Sequence, residues 1–314
     1  MDQMIKFLDP AKFRDPVTTA KGETRATVAL RGLDTLWFNT GTLCNLTCHN
    51  CYIESSPRND RLAYLSREEV REYLDEIARD GLPTRLIGFT GGEPFMNKAI
   101  IGMLEDVLAQ GLEALVLTNA MAPLRRLRPA LLDLLGRYGQ RLRIRVSLDH
   151  YSREVHENER GRRSWGPTID GLVWLAHNGF ALDVAGRRFT DEAEPLLRAG
   201  YARLFAELGI AIDAADPVRL MLFPEMDPAR DVPEITTACW GILHKSPDEV
   251  MCASARMVVK RKDAAGPAVV ACTLIPYDER FEVGESLAEA SRPVALNHPY
   301  CASFCVLGGA ACSR

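Results

Sequence analysis

Three cysteines stand close together in TGTLCNLTCHNCYIESSP, residues 40–57: Cys44, Cys48 and Cys51, spaced C-x3-C-x2-C. A disulfide needs two thiols, and a closed zinc site needs four ligands. Three thiolates suit an iron–sulfur centre, where a fourth would saturate the cluster and its absence leaves one iron open to a small molecule. A structural zinc site completed by His49 is the plainer alternative. The chain has nine cysteines, and they are grouped: Cys301, Cys305 and Cys312 lie near the end, with Cys239, Cys252 and Cys272 upstream. Such clustering favours metal over scattered core thiols, and in a reducing cytosol a disulfide framework is not expected.

Whatever completes the centre must be carried there by the fold. Between residues 34 and 225, short apolar runs alternate with amphipathic segments. Strands are expected at 36–38, 86–90, 113–120, 142–149, 180–186 and 218–223. Helices are expected at 66–81, 98–111, 123–139, 167–179 and 194–209, with Pro129 a candidate break in the third. Ser66 and Glu69 form a capping box for the first helix, and Gly81 stops it. This alternation implies an α/β fold with a parallel sheet and helices outside, and right-handed crossovers curl six units into a partial (β/α)6 TIM-like barrel. Residues 1–33 read as an N-terminal segment, 34–226 as the barrel and 227–314 as a small Cys-rich C-terminal extension. Within the extension, 256–275 reads as a β-hairpin around a Gly-Pro turn, and the last residues from His298 as loop.

In such barrels the functional groups collect at the C-terminal strand ends. The cysteines follow the first strand. Gly91, Gly92, Glu93 and Pro94 follow the second, Thr118 and Asn119 close the third, and Ser147 and Asp149 close the fourth. The fifth brings Asp183, Arg187 and Arg188, candidates for a substrate's polar groups, although the two arginines equally suit a solvated surface. A glycine pair after a strand lets backbone approach a ligand closely, which suits an amino or carboxylate group beside an open iron.

C-x3-C-x2-C after the first strand, GGEPF after the second and VSLD at the fourth together resemble the radical S-adenosylmethionine (radical SAM) superfamily. The resemblance covers roughly residues 34–225 and follows strand order. It implies that Cys44, Cys48 and Cys51 ligate a 4Fe–4S cluster whose fourth iron is chelated by SAM. It places Gly91, Gly92 and Glu93, with Pro94 beside them, at the SAM amino group. Thr118 and Asn119 fall on the cofactor rim, Ser147 and Asp149 near the ribose, Arg160 at the SAM carboxylate, and Leu222 and Phe223 in the adenine pocket. Asn50 stands where many members carry an aromatic residue or histidine, a position whose backbone contacts adenine. The implied reaction is one-electron reductive cleavage of SAM to a 5′-deoxyadenosyl radical, which abstracts hydrogen from a substrate.

Cys252 and Cys272 flank the hairpin as C-x13-G-x5-C. This is similar to the opening of the SPASM and twitch extensions that hold auxiliary clusters, with one residue more than usual between glycine and cysteine. The cysteines are too few for a full two-cluster SPASM domain, so one auxiliary 4Fe–4S cluster in a twitch-like extension fits better. The candidate ligands are Cys252, Cys272, Cys301 and Cys305, with Cys312 the alternate and Cys239 a structural thiol. Structural zinc is the rival for the same four.

Composition narrows the classes. With 314 residues, 47% hydrophobic and 25% charged, the chain can bury a sizeable core. A net charge of −4 gives no basic footprint for nucleic acid, and a pI near 5.9 disfavours RNA modification. No signal-peptide or membrane-spanning run is seen, so a cytoplasmic protein is expected. The leading expectation is a radical SAM enzyme acting on a small molecule, with a flavodoxin or ferredoxin-type electron donor as partner. Peptide maturation is the second, lowered by the roughly thirty residues before the first strand, too few for a peptide-recognition domain. An iron–sulfur electron-transfer protein is the non-enzymatic alternative, but it has no need of a SAM-binding rim.

Overall fold

A computed structural model describes residues 7–188 and 190–309. Cys312 lies outside them. Six strands run parallel in chain order: β1 (Thr35–Asn39), β2 (Leu86–Thr90), β3 (Glu113–Thr118), β4 (Leu142–Ser147), β5 (Ala181–Arg188) and β6 (Leu220–Pro224). They are almost continuously buried, as strands covered on both faces must be. Helices α1 (Arg67–Asp80), α2 (Ile100–Ala109), α3 (Ala122–Tyr138), α4 (Arg153–Arg160), α5 (Trp165–His177) and α6 (Glu194–Glu207) make the crossovers. The α/β class, the partial barrel and the cysteine-bearing extension are as the sequence implies.

Helix α1 starts at the Ser66–Glu69 capping box and ends on Gly81 in the left-handed conformation. Pro129 does not divide α3. It sits on the exposed face, where water can hydrate the carbonyl that its missing N–H leaves free. Helix α4 is an addition to the expected set. Only His156 of its eight residues is buried, so it carries no apolar stripe to announce it.

The extension differs from a separate appendage. The expected hairpin forms from β7 (Ala255–Val259) and β8 (Ala268–Val270), joined by β9 (Glu282–Gly284). Strand β7 pairs in parallel with the outer edge of β1, Trp37 opposite Met257, so one nine-stranded sheet runs β9-β8-β7-β1-β2-β3-β4-β5-β6. The chain after His298 is not all loop: Cys301–Val306 is π-helical, and Leu307 N–H donates to the Ala302 carbonyl at 2.9 Å. Residues near the N-terminus join the extension too. Thr27–Val28 pairs antiparallel with Val294–Ala295, and buried Arg25 bonds Glu234 at 2.5 Å. Among the described residues no helix is long and apolar enough to cross a membrane.

The barrel interior is filled by side chains. The Trp37 ring lies so close to Gly88 that a Cβ there would fall 2.2 Å from it. Gly88→Ala is therefore expected to destabilise by about 1–3 kcal/mol through overpacking. Gly136, exposed within α3 with nothing near its missing Cβ, is the control: Gly136→Ala should stabilise by about 0.5–1 kcal/mol. Urea unfolding of both variants checks the pair.

Candidate metal and cofactor site

The C-terminal strand ends surround a cleft of about 1080 Å³ open to solvent, and Cys44, Cys48 and Cys51 all line it. Two different sets of contacts hold the loop that carries them. The Cys44 half lies against the glycine turn after β2. Gly92 N–H donates to the Gly41 carbonyl at 2.8 Å, and Glu93 N–H to the Leu43 carbonyl at 3.2 Å. A Cβ on Gly92 would fall 2.2 Å from the Leu43 oxygen, and one on Gly91 2.5 Å from the Gly41 oxygen. Gly91 also has φ +130°. Glycine is required here because the cysteine loop itself occupies the space, which adds a second reason to the ligand approach read from sequence.

The Cys48–Cys51 half is held by α4. The Glu159 carbonyl accepts from His49 N–H at 2.7 Å, and the Glu159 carboxylate from Asn50 Nδ2 at 2.9 Å. The next residue, Arg160, grips Asp149 with two bonds of 2.8 and 2.9 Å. Arg187 Nη1 reaches the Asn50 carbonyl at 3.1 Å, and its backbone N–H the Asp149 carbonyl at 3.0 Å. Burial raises the Asp149 carboxyl, but Arg160, Arg187 and His156 outweigh it and hold it below the usual range.

The remaining expected residues divide. Gly91, Gly92, Thr118, Asn119, Ser147, Asn50, Asp149, Arg160, Arg187 and Phe223 all line the cleft. Glu93 and Pro94 lie behind it. Glu93 accepts from Thr118 Oγ1 at 2.8 Å, Asn119 N–H at 2.8 Å and Phe95 N–H at 3.2 Å, and burial pushes its carboxyl up to about 7. Leu222 is buried away from the cleft. Asp183 is fully buried deeper in the barrel, with Arg219, Arg143 and Arg145 at 3.2, 3.5 and 3.7 Å. Arg188 pairs with Glu194 at 3.1 Å, off the cleft. The sequence reading missed the apolar wall: Leu274 and Phe304 of the extension also line the cleft, and the Phe304 ring packs tilted against Phe223, centroids 5.5 Å apart. Phe304 stands between two candidate ligand cysteines, and nothing in the sequence separates it from an ordinary core residue.

A second, smaller cavity is lined by Cys252, Cys272, Cys301 and Cys305 together. Leu274 lines both cavities. Cys239 is outside this group, its sulfur accepting from Thr236 N–H at 3.4 Å. Burial pushes the thiols of Cys44 and Cys301 up to about 12 and that of Cys252 up to about 11. Buried thiolates need a compensating cation, so both cysteine sets suit a thiophilic metal centre. Among the described residues no three such groups converge tightly enough for a single ion. A polynuclear cluster holds its thiolates farther apart than one zinc ion does.

The Radical SAM superfamily pattern matches residues 38–198. Antilisterial bacteriocin subtilosin biosynthesis protein AlbA of Bacillus subtilis is 34% identical over 45% of this chain and 30% of its own. Fe-coproporphyrin III synthase of Methanosarcina barkeri is 29% identical over 49% of this chain and 36% of its own. The chain matches under half the length of these curated relatives. Streptococcus suis SuiB bound to S-adenosylmethionine shares the fold with a TM-score of 0.58, at 12% identity, over 80% of this chain and 63% of that one.

Helix α4 carries an acid-sensitive group. His156 is fully buried against Trp165, and burial lowers its imidazole to about 4. The unfolded chain therefore takes up a proton near pH 6.5 that the folded chain refuses until about 4. The stability it contributes is present above 6.5 and lost as pH falls to 4, about 3 kcal/mol in all. His156→Phe is expected to flatten that part of the pH profile in urea unfolding.

Proposed function

The chain belongs to the radical SAM superfamily, and on that premise we propose that Cys44, Cys48 and Cys51 hold its SAM-binding 4Fe–4S cluster. The family makes it an enzyme dependent on such a cluster and on SAM. The observation that carries the residue assignment is the three-cysteine loop pinned on both sides around one cleft. When bound and reduced, the cluster with SAM supplies a 5′-deoxyadenosyl radical for hydrogen abstraction. The residues of this chain do the rest. With the N–H groups of Gly92 and Glu93 bonded to the cysteine loop, the carbonyls of Gly91 and Gly92 are the turn's groups for an ammonium. Ser147, which lines the cleft from the end of β4, would meet the ribose. Arg160 is held by Asp149 in a fixed orientation at the cleft, able to meet a carboxylate with its remaining donors. Phe223, Phe304 and Leu274 exclude water from the reacting centre.

In this reading residues 34–226 form the catalytic barrel, 227–314 a twitch-like extension and 1–33 an N-terminal segment, of which Arg25 and Thr27–Val28 pack on that extension. Cys252, Cys272, Cys301 and Cys305 hold an auxiliary 4Fe–4S cluster, supported by their shared cavity. The electron donor is of flavodoxin or ferredoxin type, in the cytoplasm. The substrate is a small molecule that undergoes oxidation or rearrangement. A second reading, maturation of a peptide, is favoured by the likeness to AlbA, which is named for bacteriocin biosynthesis.

Anaerobic reconstitution tests the assignment. About eight irons per chain are expected, falling to about four in a Cys44→Ala/Cys48→Ala/Cys51→Ala variant, with 5′-deoxyadenosine from wild type alone after dithionite reduction. Unchanged iron in the triple variant, or no SAM cleavage by wild type, would overturn it. Cys272→Ala/Cys305→Ala is expected to remove about four irons and to leave SAM binding at the first cluster. Iron retained at the wild-type level in that variant, or one bound zinc in wild type, would refute the auxiliary cluster.

A further inference from the structure

Asn119, at the end of β3, is 4% exposed and has every polar group engaged. Its backbone N–H donates to Glu93 Oε2 at 2.8 Å, and its carbonyl accepts from Thr168 Oγ1 at 3.2 Å. Its Oδ1 accepts from Met121 N–H at 3.1 Å. That last bond decides which way the amide points. A backbone N–H needs an acceptor, so the oxygen faces Met121 and the NH2 group faces the opposite side. There Nδ2 donates to Asn45 Oδ1 at 2.9 Å and to Cys44 Sγ at 3.9 Å. The other donor to that sulfur is the backbone N–H of Leu46 at 3.4 Å, which does not depend on the Asn119 side chain.

We propose that Asn119 is a positioning residue for Cys44, its side-chain N–H donating to the ligand sulfur and raising the cluster's reduction potential. The inference rests on the assignment of Cys44, Cys48 and Cys51 to the cluster. A thiolate carries the charge that makes such a bond charge-assisted, so the bond strengthens when the ligand forms. Reduction adds negative charge to the cluster and its sulfurs. A donor therefore stabilises the reduced state more than the oxidised one, and hydrogen bonds to sulfur are among the terms that set iron–sulfur potentials. The same geometry gives Glu93 a task although it lies behind the cleft. Its carboxylate holds the Asn119 backbone and the Thr118 hydroxyl, so the turn after β2 sets the position of the amide at Cys44.

The test is a redox titration of the reconstituted full chain, wild type against Asn119→Ala and Asn119→Asp, followed by electron paramagnetic resonance at pH 8. The cluster is identified by the signal that changes when SAM is added, and its midpoint is then measured without SAM. Asn119→Ala is expected to move the midpoint to more negative potential. Asn119→Asp, which keeps the acceptor for Met121 and turns an anionic oxygen toward Cys44, is expected to move it further. SAM affinity is measured on the same samples, so that an effect on the cluster is separated from an effect on the cofactor. If the alanine variant fails to take up iron, the near-isosteric aspartate variant carries the comparison. Midpoints that coincide with wild type would overturn the proposal. A loss of SAM affinity of about tenfold or more with an unchanged midpoint would assign Asn119 to the cofactor instead. No SAM-responsive signal in wild type would remove the cluster assignment itself, and this inference with it.

Discussion

The structure depends on holding one loop of polar and thiol groups in a fixed shape before any metal compensates it. The three cysteine side chains sit within eight residues of irregular backbone. Their position comes from the strand ends on either side. The turn after β2 holds the Cys44 half through backbone bonds that only glycine permits. The C-terminal end of α4 holds the other half through Glu159, and the Arg160–Asp149 pair fixes that end to β4. A buried charge pair of this kind adds little net stability, but removing one partner leaves the other charge uncompensated. Its value here is geometric. It fixes the orientation of α4, and through α4 the spacing of Cys48 and Cys51 from Cys44.

The extension is built on the same constraint. Strand β7 continues the barrel sheet from the edge of β1, the strand that leads into the cysteine loop. Tyr277, just past the second cysteine group's Cys272, donates to the Ile53 carbonyl at 2.7 Å, tying the extension to the end of the loop. One helical turn then faces two ways, with Phe304 in the large cleft and Cys301 and Cys305 in the small cavity. A metal bound at the second site would fix the turn that walls the first. The walls of the two cavities therefore share this turn and Leu274.

Much of this was legible in the sequence because it is local. The capping box of α1, the apolar strands and the three-cysteine spacing each follow from residues a few positions apart. The register of strand ends then brought Gly91, Asn119, Ser147 and Asp149 to one rim. What was not legible is non-local. Helix α4 has no apolar face because it covers the polar rim of the site and not the core. Phe304 enters the cleft only because β7 docks beside β1, a pairing that no turn signal encodes. Glu93 reads as a ligand contact from its motif, yet its three bonds all go to the protein. Arg188 lies at the strand end that was marked but meets Glu194, and Asp183, earlier in the same strand, points down into the barrel.

The central claim is that the three-cysteine cluster keeps one iron open and that SAM occupies it. Electron–nuclear double resonance of the reduced protein with SAM labelled by nitrogen-15 at the amino group and oxygen-17 at the carboxylate tests it most directly. Strong couplings from both labels, present in wild type and absent from the Cys44→Ala/Cys48→Ala/Cys51→Ala variant, are the expected result. A SAM-bound protein whose labels show no coupling to the cluster would contradict it, because SAM would then be held by the cleft alone.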